Sequence, residues 1–196
     1  MPDEMERLTA ALARAGGASS DFDLNPGLEP KGRALRPAAV LVGITSGKSG
    51  AEVILTKRAS HLKHHPGQIA FPGGKQEDSD PTPEAAALRE AHEEIGLSPH
   101  LVRPIVRLPV HETVTGFLMT PILAEVAQFS PSRDPGEVEE VFTVPLSHLL
   151  DAGQYSIQRR LWRDQWRSYY AVPWGPYYIW GATARILRGL AERAAE

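Results

Sequence analysis

The chain contains no cysteine, which excludes disulfide bonds and thiolate metal sites and fits a reducing compartment. No apolar run approaches the roughly 20 residues that a membrane-spanning helix needs. The acidic start from Met1 to Glu6, and Arg14 inside the apolar run that follows, do not fit a signal peptide. We therefore expect a cytoplasmic protein without a membrane partner.

An excess of positive charge is also absent. The chain has 21 Lys and Arg against 24 Asp and Glu, for a formal net charge of −3. A nucleic-acid surface needs a basic patch, so we expect no nucleic-acid partner. With 196 residues, 42 per cent of them hydrophobic, the chain can build one ordinary hydrophobic core.

The hydrophobic patterns alternate between those of strands and those of helices. We predict a helix over residues 4–15, a carboxylate-rich helix after residue 82, a short helix over 147–151 and a final helix over 182–194. Strands are predicted over 38–45, 52–57, 102–110, 117–126, 158–162 and 166–172. This mixture favours an α/β fold with one core. We divide it into an N-terminal helix and arm, residues 1–37, and a main domain, residues 38–196.

Three carboxylates, Glu90, Glu93 and Glu94, lie within about one turn of the second helix. Positions three and four apart on a helix are neighbours, and like charges there cost roughly 0.2–0.5 kcal/mol per pair. A hard divalent cation turns this repulsion into attraction. Arg89 lies four residues before Glu93 and is expected to pair with it. A solvated acidic helix face is the alternative interpretation.

The limits of this helix are marked clearly. Thr82 is suited to the N-cap, Pro83 to the first helical position and Gly96 to the left-handed C-terminal position. The carboxylates are expected to project away from the core. The opposite side, which we expect to face the core, comprises Ala85, Leu88, His92 and Ile95.

The surrounding sequence resembles the signature of the Nudix hydrolases, G-x5-E-x7-R-E-U-x-E-E-x-G-U, where U is aliphatic. Asp80 stands in place of the first Glu, with eight residues before Arg89, and Ala91 takes the aliphatic position. The matching residues are Gly74, Arg89, Glu90, Glu93, Glu94, Gly96 and Leu97.

Two further segments are similar to the coenzyme A pyrophosphatase branch of that family. Residues 54–74 follow its additional motif, L-L-T-x-R-[SA]-x3-R-x3-G-x3-F-P-G-G, with Ile54 for the first Leu and Lys63 for the second basic residue. Residues 179–184 are similar to its closing strand-to-helix segment. The resemblance therefore covers two separate parts of the chain.

The resemblance implies a Nudix-type α/β/α sandwich with a mixed sheet and a single domain. It implies metal-dependent hydrolysis of the diphosphate bond of coenzyme A and its acyl derivatives, giving 3′,5′-ADP and 4′-phosphopantetheine. Mg²⁺ or Mn²⁺ would be held by Glu90, Glu93 and Glu94, with Glu93 and Arg89 also taking part in catalysis. Two alternatives stay open: hydrolysis of ADP-ribose or another nucleoside diphosphate derivative, and a non-catalytic nucleotide-sensing module.

The remaining candidates lie outside the carboxylate helix. The substrate-binding candidates are Arg58, Lys63, Gly73 and Gly74. The general-base candidate is Glu140, with Glu137 and Glu139 also open; each of the three is equally readable as an exposed charge at a strand end. The tryptophans and tyrosines of the last third fit sheet packing or the face of a homodimer, and stacking on adenine or covering a pantetheine arm is the alternative.

Overall fold

The computed structural model describes residues 4–12, 16–48, 50–162 and 164–195. Its helices are α1 (Glu4–Leu12), α2 (Pro83–Ile95), α3 (Leu146–Leu149) and α4 (Ala182–Ala195). Its strands are β1 (Ser19–Ser20), β2 (Arg36–Gly47), β3 (Gly50–Arg58), β4 (Ile69–Ala70), β5 (Gly73–Lys75), β6 (Val102–Arg107), β7 (His111–Glu112), β8 (Phe117–Val126), β9 (Val138–Pro145), β10 (Ser156–Trp162), β11 (Gln165–Trp174) and β12 (Tyr177–Trp180). Residues 13–15 of the predicted first helix lie outside the described residues.

The strands form a nine-stranded mixed sheet and a three-stranded antiparallel sheet. The larger sheet runs β1-β7-β8-β2-β3-β4, and β5, β6 and β9 pair with β2, β8 and β3 respectively. Its centre is the parallel pair of β2 and β8, where Leu41 lies opposite Ile122. The smaller sheet runs β10-β11-β12. None of the described helices combines the length and apolar character of a membrane span.

Strand β2 explains why both faces of the large sheet are covered. Successive side chains of a strand point to opposite faces. Leu41 packs with Ala87 and Ile95 of α2 on one face, while Val40 and Val42 belong to the cluster that contains α1, α3 and α4. A central strand buried on both sides, with helices above and below it, gives the predicted α/β/α sandwich.

Helix α2 has the predicted ends. The Thr82 side chain accepts a hydrogen bond from the Ala85 backbone N–H at 3.2 Å, and Gly96 adopts a φ of 68°. The predicted core side was wrong for His92, which is exposed, because the helix is turned so that small alanines meet the sheet. The carboxylates also do not all project outward. The buried residues of the helix are Ala86, Ala87, Ala91, Glu94 and Ile95.

The N-terminal arm is attached to both sheets. Strand β1 pairs in parallel with β7, and the buried His111 ring contacts Ser19 Oγ at 2.9 Å and Asp21 Oδ1 at 3.1 Å. The buried Asn25 side chain donates to the Ser168 carbonyl at 2.8 Å and accepts from the Ser168 N–H at 2.7 Å. Asn25 therefore satisfies the backbone N–H and carbonyl of Ser168 on β11, at a position that β12 does not reach. The division at residue 37 stays a prediction.

Replacing the buried Asn25 with Ala should destabilise the protein by about 2 kcal/mol, because two partly buried backbone groups of Ser168 lose their partner. Urea unfolding followed by circular dichroism measures this change. The matched control is Gln158→Ala on the exposed strand β10, which should shift the unfolding midpoint little. Equal effects of the two substitutions would contradict the role given to Asn25.

Candidate active site

A hydrogen bond joins the carboxylate helix α2 to Gly73, the first residue of β5. The Gly73 N–H donates to Glu94 Oε2 at 3.0 Å. Gly73 has a φ of 149°, and a Cβ at this position would lie 2.4 Å from the Ala39 carbonyl oxygen. Only glycine therefore allows β5 to lie against β2 with its N–H directed at the helix.

Gly74 provides the space for a second carboxylate. A Cβ on Gly74 would lie 2.5 Å from the carboxyl carbon of Glu90, so any side chain there would displace that carboxylate. Glu90 and Glu94 are one turn apart on α2 and both lie against the Gly73–Gly74 turn. The sequence prediction placed these two glycines at the substrate, and the structure brings them into contact with the two carboxylates.

Glu94 is an acidic side chain in an almost dry position. It is only 4 % exposed, and burial raises its pKa to about 8 against an ordinary value of 4.5. The Gly73 N–H opposes this rise, whereas the negative charges of Glu90 and Glu137 add to it. Among the described residues Glu94 forms no ion pair, so its negative charge lacks a direct cationic partner.

Glu90 is partly buried and carries a smaller perturbation. Burial raises its pKa, and the guanidinium of Arg89, 3.0 Å from Glu90 Oε1, opposes the rise. The neighbouring charges of Glu93 and Glu137 raise it further. Two adjacent carboxylates with raised pKa values form an acidic site that favours either protons or a cation.

Arg89 holds the exposed side of the helix in place. It donates to Asp80 through Nε at 3.1 Å and through Nη2 at 3.0 Å, and to the Lys75 carbonyl at 3.1 Å. Its Nη1 reaches Glu93 Oε2 at 2.9 Å, as the four-residue spacing predicted. The hydrogen bonds to Arg89 lower the pKa of Asp80. Asp80 therefore orients Arg89, a role that the shifted spacing of the motif did not reveal.

Among the three base candidates, Glu137 is the one whose charge raises the pKa of both Glu90 and Glu94. The loop before it binds the end of α2, because the Asp134 N–H donates to the Glu94 carbonyl at 2.9 Å. Glu139 instead pairs with Lys57 at 2.6 Å. Glu140 accepts from the Tyr177 hydroxyl at 2.5 Å. The contacts thus distinguish the three acids and favour Glu137, whereas the sequence prediction placed Glu140 first.

The two basic candidates of the preceding loop differ in position. Arg58 lies close enough to Glu94 to lower the pKa of that carboxyl, and its backbone N–H donates to the Gln68 carbonyl at 3.0 Å. Lys63 is exposed on the loop that joins β3 and β4. In the same loop burial lowers the pKa of His65, and the charge of Arg58 lowers it further. Of the two basic candidates, Arg58 is the one whose charge acts on Glu94.

The donor set suits a hard divalent cation, because Glu90 and Glu94 offer carboxylate oxygens in a partly dry position. Over the described ranges of the chain, no group of three or more His, Asp or Glu side chains is gathered as a metal site. The reason lies in Glu93, which is 56 % exposed and turned toward Arg89. Two carboxylates are thus in place, and the third is held beside them by an arginine.

A NUDIX domain model matches residues 34–165, two thirds of the chain and the whole carboxylate site. The chain is also 42% identical over 163 residues to the Nudix hydrolase NudL of Enterobacter sp. (strain 638), covering 80% of this chain and 81% of that protein. The chain belongs to the Nudix family. NudL of Escherichia coli (strain K12 / DH10B) is 41% identical over 161 residues, with the same coverage.

Solved structures agree with the Nudix fold. The Nudix hydrolase RenU of M. smegmatis matches with a TM-score of 0.50 and 27% identity, over 59% of this chain and 74% of that one. A MutT/Nudix protein from Enterococcus faecalis matches with a TM-score of 0.50 and 12% identity, over 85% of this chain and 64% of that one, which shows the fold alone.

The family identifies the chain as a Nudix hydrolase, a pyrophosphatase acting on nucleoside diphosphate derivatives. Nudix hydrolases generally use divalent cations, in agreement with the acidic donor set at Gly73 and Gly74. The names of the relatives state the family and no substrate. The choice among nucleoside diphosphate derivatives therefore depends on features of this chain.

Replacing Glu94 with Gln should stabilise the metal-free protein at alkaline pH. Because the folded pKa of about 8 exceeds the ordinary 4.5, the folded state holds this proton more tightly than the unfolded chain. The resulting stability is complete below about pH 4.5 and is lost as the pH rises through about 8. Gln keeps the acceptor for Gly73 and removes this loss, which is on the order of a few kcal/mol.

Urea unfolding in chelator between pH 5 and pH 9 measures the effect. The wild-type free energy of unfolding should fall across this range relative to the Glu94→Gln variant, with the difference largest at pH 9. Glu93→Gln is the matched control, since its exposed carboxylate should leave the wild-type pH dependence nearly unchanged. Parallel curves for wild type and Glu94→Gln would contradict the burial argument.

Proposed function

We propose that this Nudix hydrolase cleaves the diphosphate bond of coenzyme A and its acyl derivatives, releasing 3′,5′-ADP and 4′-phosphopantetheine or its acyl form. One contact carries this proposal. The hydrogen bond from Gly73 to Glu94 joins the end of the 54–74 segment, which resembles the coenzyme A branch, to the helix of the Nudix signature. Both motifs thus contribute to one site.

Mg²⁺ or Mn²⁺ is the proposed cofactor, with Glu90 and Glu94 as its principal ligands. Glu93 is the third proposed ligand and takes part in catalysis; reaching the cation requires its side chain to turn from Arg89. When bound, a divalent cation would supply positive charge against the oxygens of the diphosphate. The burial of Glu94 supports this role, since a cation would stabilise the ionised form that burial disfavours.

The chain's own residues hold and orient the substrate. Arg58, beside Glu94, is the proposed donor to the diphosphate, and Lys63 is the proposed contact for a more distant phosphate on the exposed loop. Gly73 and Gly74 allow the backbone to approach a phosphate closely. Arg89, fixed by Asp80, positions Glu90 and Glu93.

Glu137 is the proposed general base, in preference to Glu140 and Glu139. A base must accept a proton from the attacking water, so it must lie near the reacting phosphorus and be available as an acceptor. The charge of Glu137 raises the pKa of Glu90 and of Glu94. Glu139 is instead paired with Lys57, and Glu140 accepts a hydrogen bond from Tyr177. A cytoplasmic location, in keeping with the absence of cysteine, and a homodimer also belong to the proposal.

Coenzyme A should be cleaved faster than ADP-ribose, NADH or a dinucleoside polyphosphate, because residues 54–74, which resemble the motif of the coenzyme A branch, end at Gly73 and Gly74 beside the carboxylates. Mass spectrometry of the products, with Mg²⁺, with Mn²⁺ and with chelator, measures this preference. Metal-dependent release of 3′,5′-ADP is the expected result. Glu94→Gln should reduce turnover at least a hundredfold while the protein stays folded.

Each other outcome identifies a different function. Faster cleavage of ADP-ribose, NADH or the dinucleoside polyphosphate would agree with a Nudix hydrolase but reject coenzyme A as its preferred substrate. Absence of cleavage with every substrate, together with binding of a nucleotide, would favour the sensing module. Full activity of Glu94→Gln would reject the proposed role of this residue.

The base assignment predicts different effects for two neighbouring acids. Glu137→Gln should lower kcat by about 10²–10⁴-fold and remove the acidic limb of its pH profile, because a general base contributes that much. Glu140→Gln should have a small effect, since its amide still accepts from Tyr177. Steady-state kinetics from pH 5 to pH 9 test the difference. A larger loss for Glu140→Gln would reverse the assignment.

A further inference from the structure

The three-stranded sheet continues beyond the helix that covers it. Near α4, Val172 and Ile179 are fully buried on one face of this sheet. Farther along the same face, Ile157, Leu161 and Trp166 are 56 %, 53 % and 58 % exposed. The alternation of a strand places all five side chains on one side. The apolar face is therefore covered at one end and open at the other.

The strand register makes the open end a continuous strip. Leu161 lies directly opposite Trp166, Arg159 opposite Ser168, and Ile157 opposite Tyr170. We call Ile157, Arg159, Leu161 and Trp166 the hairpin patch. In the described sheet β10 is an edge strand, and all its residues except Trp162 are exposed.

The cations of this hairpin contact aromatic rings. The Arg159 guanidinium lies 5.5 Å from the centre of the Trp166 ring, and that of Arg160 lies 5.9 Å from the Trp180 ring. In the described ranges of the chain neither arginine forms an ion pair, whereas Arg89 and Arg107 do. The hairpin thus carries uncompensated positive charge on a protein whose formal net charge is −3.

We propose that the hairpin patch binds an anionic lipid surface. Tryptophan and aliphatic side chains enter the boundary between headgroups and acyl chains, while arginines remain with the anionic headgroups. The patch presents both kinds of side chain at one end of one hairpin. Nucleic acid fits less well, since its bases stack on aromatic rings and Ile157 and Leu161 offer none.

A second copy of the chain also fits this face less well. A specific interface buries about 800 Å² on each partner, which three half-exposed side chains do not supply. Pairing of two β10 edges would also bring Arg159 and Arg160 of both copies together, and like charges oppose association. The sequence prediction of no membrane partner rested on the absence of a spanning segment and of a signal peptide. Neither criterion detects a surface patch, and the fold gathers Arg159 with three exposed apolar side chains on one face.

Vesicle cosedimentation tests the proposal with the full-length protein. Vesicles of two parts phosphatidylcholine and one part phosphatidylglycerol should bind the protein, and pure phosphatidylcholine vesicles should bind it at least tenfold more weakly. High salt should release it. Leu161→Ser with Trp166→Ser should weaken binding about tenfold, and Arg159→Gln should weaken it about fivefold. Arg160→Gln, on the opposite face of the hairpin, should have a smaller effect. Circular dichroism confirms that each variant is folded.

Two matched controls separate the patch from general surface properties. Val106→Ser with Leu118→Ser removes exposed apolar side chains from β6 and β8, and Lys31→Gln with Lys48→Gln removes exposed charge elsewhere. Both should bind vesicles like the wild type. Equal binding of all variants, or no preference for anionic vesicles, would overturn the proposal. If the protein binds no vesicles, two results would identify a different partner for the patch. A dimer that is lost in the Leu161→Ser, Trp166→Ser variant would indicate a second copy of the chain, and nucleic-acid binding would indicate a nucleic acid.

Discussion

The hydrogen bond from the Gly73 N–H to Glu94 is the contact on which the site depends. It requires a carboxylate at the sheet face of α2 and a backbone N–H without a Cβ beside it. Burying that carboxylate is costly, as its pKa of about 8 indicates. Packing elsewhere in the fold has to offset this unfavourable free energy, and the alanines that bring α2 against β2 contribute to that packing.

The other charges of the site are arranged around this buried group. Arg89 binds Asp80, Glu90 and Glu93 together, and so keeps the outer side of the helix fixed while leaving Glu94 without a cation. Glu137 reaches the same region from the loop that binds the end of α2. The result is an acidic site in which Arg89 pairs with the outer carboxylates and the charge of Arg58 acts on Glu94. Such a site suits a cation and a phosphate together more than either alone.

The hairpin patch lies on the smaller sheet and has a different physical origin. Helix α4 covers only part of that sheet, so the strand pattern that builds a core near Val172 continues into solvent at Leu161 and Trp166. A face designed only for folding would carry polar side chains there. The apolar and cationic side chains at this end distinguish it from an ordinary sheet edge.

The sequence alone determined the helix ends at Thr82 and Gly96, the strand over residues 117–126 and the α/β class. These features depend on caps and periods, which are local, whereas the α/β/α layering was implied by the family resemblance. The motif also marked Glu90, Glu93 and Glu94 together. Tertiary structure alone decided how they differ: Glu94 is buried at Gly73, Glu93 faces solvent, and Asp80 binds Arg89. Burial and pairing depend on which distant elements meet, so spacing along the chain cannot show them.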